Sequence, residues 1–442
     1  MLHAETECVR KGTRNSFTDW EIVQGLTRLI TVAMLTVEKA RDDRGSDKQM
    51  KIDLFNEIQD QQPWAEGHEH TRLLQAIEQA ELADELGYGC WWQVEHHGGE
   101  EFSLSSAPEI VLAAISQRTR RIRLGHSAVL APGVINHPVR AAERAATLDH
   151  LSAGRLEVGL TKSTAAEWRL FGIDPAEVPE QTEEAFRLIP KLWTQPRVTY
   201  DGRFYHLSDI PVVPKPYQWP HPPLWQAASS PSSFGDAGRR GVGVLGTTLW
   251  EPLDYVARMV RFYREAIAQC DKPAGAYVND QVAYFTFVHC ADTDEQAMAD
   301  GAAAAAAWYT VTALTFFEAA AAYAERFTAE ARLMQDPSGG GLTGEFLRNE
   351  AAAFTGPNDA QLAIASILQG QPVAGEKLFD ALYAQGSLIV GSPQTCREKI
   401  KAYADLGIDR LMTFQQVGGL PHESVMRSIR LIGELIPEFD VA

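Results

Sequence analysis

The chain has 442 residues, of which 45% are hydrophobic and 22% charged, so it can bury a large core and is unlike a disordered composition. Its formal net charge of −18 argues against a binder of nucleic acid or of an acidic membrane surface. Five cysteines (Cys8, Cys90, Cys270, Cys290 and Cys396) lie far apart with no CxxC pair. That spacing excludes a disulfide frame and leads to the expectation of reduced thiols in a cytoplasmic protein.

Residues 1–49 differ from the rest. Eight basic residues there balance eight acidic ones, so the whole negative excess follows them. The short apolar run at 30–37 lacks the lead-in and small-residue cleavage site of a signal peptide. The stretch reads as a non-core extension, disordered or loosely helical, ahead of one barrel domain over 50–442.

From Met50 the pattern alternates. "KIDLFNEIQ" (51–59) reads as a strand. A helix over 71–86 puts Leu73, Ala76, Ile77, Ala80 and Ala83 on one face and stops at Gly87. "CWWQV" (90–94) is the second strand, followed by a helix over 107–119 with Pro108 in its first turn. A third strand over 121–130, a helix over 138–151 and a fourth strand over 155–160 follow. Then comes a helix over 182–193, a hairpin in "VTYDGRFYHL" turning at Asp201-Gly202, and a proline-rich loop. Strands at 224–228, 242–246 and 281–288 lead to an alanine-rich stretch over 302–324. Only Glu318 is charged there, but alanine is weakly apolar, so a packed helix is expected and no membrane span. "DPSGGGLTG" reads as a loop, 391–393 as a turn and helix start, 410–415 as strand eight, and a last helix begins at 422.

Eight such alternations predict an α/β fold, a (β/α)8 TIM-type barrel with insertions after strands four and seven. A doubly wound sheet is the alternative. Neither GxGxxG after strand one nor GxxxxGK[ST] occurs.

In such a barrel, chemistry sits just past the C-terminal ends of the strands. Those positions offer Glu95, His96 and His97 after strand two, residues 127–131 after strand three, and "TKST" (161–164) after strand four. Strand five leads into Ser229, Ser230, Ser232 and Ser233. "TKST" and "SSPSS" suit a phosphate, the latter opening a helix near Pro231; serine loops also serve simply as caps. His68 and His70 with "EHH" raise a metal reading, but they fall about ten residues past strand one, in loop territory, and no metal site is assigned. His96 and His97 are neighbours and must point apart, and His96 is preferred at the shared centre.

The run "ADELGYGCWWQVEHH" with "RIRLGHSAVLAPGVINHPVRAAERAATLDHLSAGRLEVGL" resembles the bacterial luciferase-like flavin-dependent monooxygenases. The resemblance extends over about 50–439 and is weakest at 291–388. It implies reduced FMN supplied by a separate NAD(P)H:flavin reductase, with O2 activated as a C4a-(hydro)peroxyflavin to oxygenate a hydrophobic small molecule. A homodimer is also expected. By position, His96 is implied as the active-site base or hydrogen-bond partner, with Glu95 orienting it or buried in an ion pair. Ser127-Ala128 aligns with a cis peptide under the flavin. Lys162 stands where relatives carry a phosphate-binding arginine, Thr161 where the luciferase carries a cysteine, and Ser229, Ser230 and Ser232 match a second phosphate loop. Arg140, Glu143, Asp149 and Arg155 are expected as ion pairs behind the barrel wall. Two other readings remain open: a deazaflavin-dependent oxidoreductase and a non-catalytic flavin-binding subunit.

Overall fold

A computed structural model describes residues 49–248, 250–320, 332 and 340–440. The expectations for 1–48, for 321–324 and for the first four residues of "DPSGGGLTG" lie outside the described residues; the rest of that expected loop is helical from Gly341 on, with Gly340 as its cap.

Eight parallel strands close into a ring: β1 (Lys51–Asn56), β2 (Cys90–Gln93), β3 (Arg123–Leu130), β4 (Leu156–Thr161), β7 (Leu224–Ala227), β8 (Gly243–Thr247), β9 (Val282–Cys290) and β11 (Arg410–Phe414), which pairs back to β1. This is the expected TIM-type barrel. Helices α1 (His68–Leu86), α2 (Pro108–Arg118) and α3 (Pro138–Leu151) fill the first three crossovers. After β4 come α4 (Ala165–Phe171), α5 (Val178–Thr194) and the antiparallel hairpin of β5 (Val198–Asp201) and β6 (His206–Ile210). α6 (Pro231–Arg240) and α7 (Leu253–Ala268) follow β7 and β8. The insertion after β9 holds α8 (Asp294–Ala299), α9 (Ala302–Phe316), α10 (Gly341–Ala353), α11 (Asp359–Leu368) and α12 (Gly375–Ala384). α13 (Pro393–Asp405) precedes β11, and α14 (His422–Phe439) ends the chain. No helix of the described residues is long and apolar enough to cross a membrane.

Three local differences from the sequence reading have clear causes. The first helix begins at His68, because Gly67 turns the chain at φ 74°. Just before the expected turn at 391–393, Ile389–Gly391 forms an extra strand, β10, pairing with β9 outside the ring. The short helix α4 was not anticipated.

Side chains alternate between the inside and outside of the ring. Trp92 of β2 meets Trp225 of β7 at 5.3 Å although these strands are not neighbours, so both rings lie inside. Phe55 of β1 stacks on Phe285 of β9 at 4.2 Å, again across the interior. The floor is a paired network: Trp92 Nε1 and Arg410 Nε donate to Asp53 Oδ2, each at 2.8 Å. Trp225 Nε1 donates to Glu157 Oε2 at 2.7 Å, and Arg123 pairs with the same carboxylate. Gly125 is required here, since a Cβ would overlap the Trp92 indole.

The expected ion pairs behind the wall form only in part. Arg140 pairs with Glu143 at 2.9 Å, on the exposed face of α3. Asp149 instead accepts from the backbone N–H (2.7 Å) and side-chain amide (2.8 Å) of Gln218. Arg155 donates to the carbonyl oxygens of Ser116, Ile122 and Ser152. Both groups satisfy loop and backbone polar atoms at strand starts, where the main chain needs partners.

Candidate active site

Continuing the alternation upward places Trp92, Val94 and His96 on the inner face of strand two, and Glu95 on the outer face. The contacts agree. Glu95 is buried and accepts from Asn136 Nδ2 (2.8 Å), the Leu130 N–H (3.2 Å) and His97 Nε2 (3.3 Å). His126 Nε2 lies 3.3 Å from its other oxygen, off the hydrogen-bond line. Burial alone would raise the Glu95 pKa, but the two imidazoles and Asn136 together hold it well below the carboxylate range. His97 is raised in turn, chiefly by its hydrogen bond to Glu95. Of the two roles implied for Glu95, the geometry corresponds to the buried ion pair.

His96 faces a different acid. Its Nδ1 lies 3.2 Å from Glu167 Oε1, a residue the sequence reading did not single out. Glu167 is fully buried and also accepts from the His97 N–H (3.1 Å), Ser163 Oγ (2.6 Å), the Thr164 N–H (3.0 Å) and Thr164 Oγ1 (3.0 Å). Burial works to raise its pKa, yet His96 and these donors bring it below the usual value. Thr164 and Glu167 form a capping box at the start of α4. That T-x-x-E spacing was the one signal in the sequence that could have found it.

A carboxylate that only accepts fixes the His96 proton on Nδ1 and leaves Nε2 as the basic atom. Among the described residues Nε2 has no hydrogen-bond partner. Aromatic rings surround the imidazole: Phe102 and Phe316 at 5.3 Å and Phe317 at 5.6 Å. The two latter rings come from the end of α9, which thus crosses the mouth within the region where the resemblance is weakest. Glu318, just beyond, pairs with Arg169 of α4.

The remaining expected residues gather around the same rim. The Ser127-Ala128 peptide is cis. Gly159 of β4 lies under it, where a Cβ would sit 3.0 Å from Ala128 Cβ. Thr161 ends β4, and Lys162 is exposed beside it. β4 pairs with β7, so the serine loop after β7 opens next to Lys162. Ser230 caps α6 and exchanges hydrogen bonds with Ser233, whose Oγ also takes the Ser229 N–H at 3.2 Å. The Ser230 hydroxyl is therefore committed to the cap and also meets Ser232 Oγ at 3.1 Å; Ser229 and Ser232 are exposed at the rim. A cation, two exposed serines and a helix N-terminus at adjacent strand ends fit a phosphate. His68 is engaged elsewhere, paired with Asp60 and stacked on Trp64 at 5.1 Å.

A family model described as luciferase-like monooxygenase matches residues 58–410. The chain is 24% identical over 401 residues to the oxygenase component of a flavin-dependent trigonelline monooxygenase from Acinetobacter baylyi, covering 90% of this chain and 93% of that one. It is 31% identical over 243 residues to limonene 1,2-monooxygenase from Rhodococcus erythropolis, covering 54% and 61%. The chain spans about half the length of the F420-dependent glucose-6-phosphate dehydrogenases that it also matches. Among solved structures, the monooxygenase RslO1 from Streptomyces bottropensis superposes with a TM-score of 0.65 at 25% identity, covering 88% of this chain and all of that one.

Proposed function

This chain belongs to the luciferase-like monooxygenase family, and from that membership we propose that it binds reduced FMN in the barrel mouth and uses O2 to oxygenate a hydrophobic organic molecule. The observation that carries this reading is the Glu167–His96 pair, which presents a basic nitrogen inside the ring after β2, beside the strand that holds the cis Ser127-Ala128 peptide. Reduced flavin, when bound, supplies the electrons for oxygen chemistry. The chain supplies the rest. Lys162, Ser229, Ser232 and the α6 N-terminus hold the phosphate. Thr161 and the Ser127-Ala128 peptide border the ring system. His96 takes up and returns a proton at Nε2. The Phe102, Phe316 and Phe317 rings keep water from that atom and favour an apolar substrate.

Reduced FMN is the diffusible product of a separate flavin reductase in this reading, in keeping with a relative named as an oxygenase component. The second reading replaces FMN by a deazaflavin, as in the F420-dependent dehydrogenases among the relatives. The experiment supplies purified protein with FMN, NADH and a flavin reductase, and in parallel with reduced deazaflavin. Substrate-dependent O2 uptake with FMN supports the proposal. Hydride transfer with deazaflavin and no O2 uptake with FMN overturns it. Tight FMN binding with neither activity points to a non-catalytic flavin-binding subunit and also overturns it.

A further inference from the structure

His96 is not the only proton-bearing group on the inner face at the mouth. Asp53 and Phe55 point inward along β1, and the next position on that face is Glu57. It is buried, 1% exposed, and no charged side chain touches it among the described residues. Its neighbours are polar and neutral: Gln59 Nε2 at 2.8 Å from Oε2 and Tyr309 Oη of α9 at 3.2 Å from Oε1. The other titratable groups of this interior are paired: Asp53 with Arg410 four residues down β1, Glu157 with Arg123 at the floor, and His96 with Glu167. Above Arg410, β11 and the residues after it bring Phe414, packed against Tyr309 at 5.0 Å, and neutral Gln416. Without a cation, burial pushes the Glu57 carboxyl up to about 8, against the lowering effect of Tyr309 and Gln59.

The direction of each hydrogen bond follows from one backbone amide. The Gly418 N–H donates to Gln59 Oε1 at 2.9 Å, which fixes that atom as the carbonyl and the other as NH2. Gln59 Nε2 therefore donates to Glu57 Oε2. In neutral Glu57 the acid proton must sit on Oε1, and Tyr309 Oη accepts it. The phenol's own hydrogen is then left over, and among the described residues Tyr309 Oη has no second partner. The Tyr309 ring is held in place, stacked 6.0 Å from Phe102, the ring that also borders His96.

We propose that Tyr309 is a hydrogen-bond donor to an acceptor oxygen of the organic substrate, a carbonyl or developing oxyanion, and that Glu57 is the positioning residue that turns the phenol toward it. This rests on the proposed reaction site being the barrel mouth. Ionised Glu57 would reverse the chain: Tyr309 would donate to the carboxylate and withdraw its hydrogen from the mouth. Glutamine at position 57 copies the neutral acid, because its NH2 donates to Tyr309 at any pH.

The experiment measures turnover from pH 6 to 10 in the wild type, Glu57→Gln and Tyr309→Phe, together with the infrared carbonyl band of neutral Glu57 in the ligand-free protein. The wild type should lose activity above about pH 8 with one ionisation. In Glu57→Gln the ratio of activity at pH 9 to that at pH 7 should rise toward one. Tyr309→Phe should be down about 10-fold at pH 6–7, the value of one hydrogen bond, and should show no alkaline limb, so that it meets the wild type above about pH 8. The neutral-acid band should vanish above about pH 8, be absent in Glu57→Gln, and shift in Tyr309→Phe, which removes the acceptor of the acid proton. An alkaline limb that persists in Glu57→Gln, or a Tyr309→Phe variant as active as the wild type at pH 7, overturns the proposal. If no FMN-dependent O2 uptake is found at all, the parent reading fails. The infrared arm still decides the Glu57–Tyr309 orientation, and an unshifted band in Tyr309→Phe overturns it.

Discussion

Glu167→Gln is the most demanding test of the site because it preserves shape and removes only the charge and one acceptor. Five donors converge on this carboxylate. The hydroxyls of Ser163 and Thr164 can rotate to accept instead, but the N–H groups of His97 and Thr164 cannot. Whichever way the amide turns, its NH2 faces a backbone N–H, leaving a buried donor unmet at a cost of about 1–3 kcal/mol. If the NH2 takes the Oε1 place, His96 Nδ1 must become an acceptor and its proton moves to Nε2. The basic atom facing the mouth is then lost, and with it the contribution of a placed general base, about 100-fold or more in rate. Denaturant unfolding measures the first effect. Nitrogen NMR of the His96 ring measures the tautomer without any flavin, and O2 uptake with reduced FMN measures the rate. A variant whose His96 proton has moved to Nε2 yet stays within about threefold of wild-type activity would refute the idea that Glu167 sets the basic atom of His96.

Two buried carboxyls should give pH responses of opposite sign. Glu57 has a raised pKa, so the folded state keeps a proton that the unfolded chain releases above its ordinary value of 4.5. Its contribution to stability therefore falls as pH rises from 4.5 to about 8, by about 1.4 kcal/mol per pH unit. Melting temperature should decline less steeply over that range in Glu57→Gln than in the wild type. Glu95 is held below its ordinary value, so its contribution is present above 4.5 and lost as pH falls below that value. Glu95→Ala strands two imidazoles and the Asn136 amide and should cost about 3–5 kcal/mol by denaturant unfolding, as for a broken buried pair. Gly125→Ala drives a methyl into the Trp92 indole while β3 is held by strands on both sides. A loss of about 3 kcal/mol or more, or no soluble protein, is expected, and normal melting would refute the packing account. Lys162→Ala should weaken FMN about 10-fold by calorimetry and leave riboflavin, which lacks the phosphate, unaffected.

The barrel was legible because its strands and crossover helices repeat with two different periods, and eight repeats leave few topologies. The rim residues were legible for the same reason, since a strand's end locates its first loop residues. α4 was not. Seven residues hold barely two turns, too few for an apolar face to repeat, and "AAEWRLF" has no such face. α9 was legible as a helix but not as a wall of the site. A run of alanines gives little contrast between faces, so nothing marked Tyr309, Phe316 and Phe317 as the side turned to the mouth.

The partner of His96 was missed for a deeper reason. In "WWQVEHH" the adjacent acid looks like the natural partner of either histidine. Which residues face inward is a matter of parity, but parity is readable only when one face of a strand is polar. Here both are apolar: Trp91 on the outer face and Trp92 on the inner are each fully buried. Only Gly125, whose missing side chain admits the Trp92 ring, settles the matter, and it lies on another strand. Once Trp92 is inside, His96 must be inside and Glu95 outside, where β3 and the loop after it supply the partners. The acid for His96 then has to come from another loop reaching the same rim. The loop after β4, two strands away, provides it, 71 residues along the chain. Pairs of this kind are set by barrel closure, which is why a local motif singled out the histidine but could not show which acid it meets.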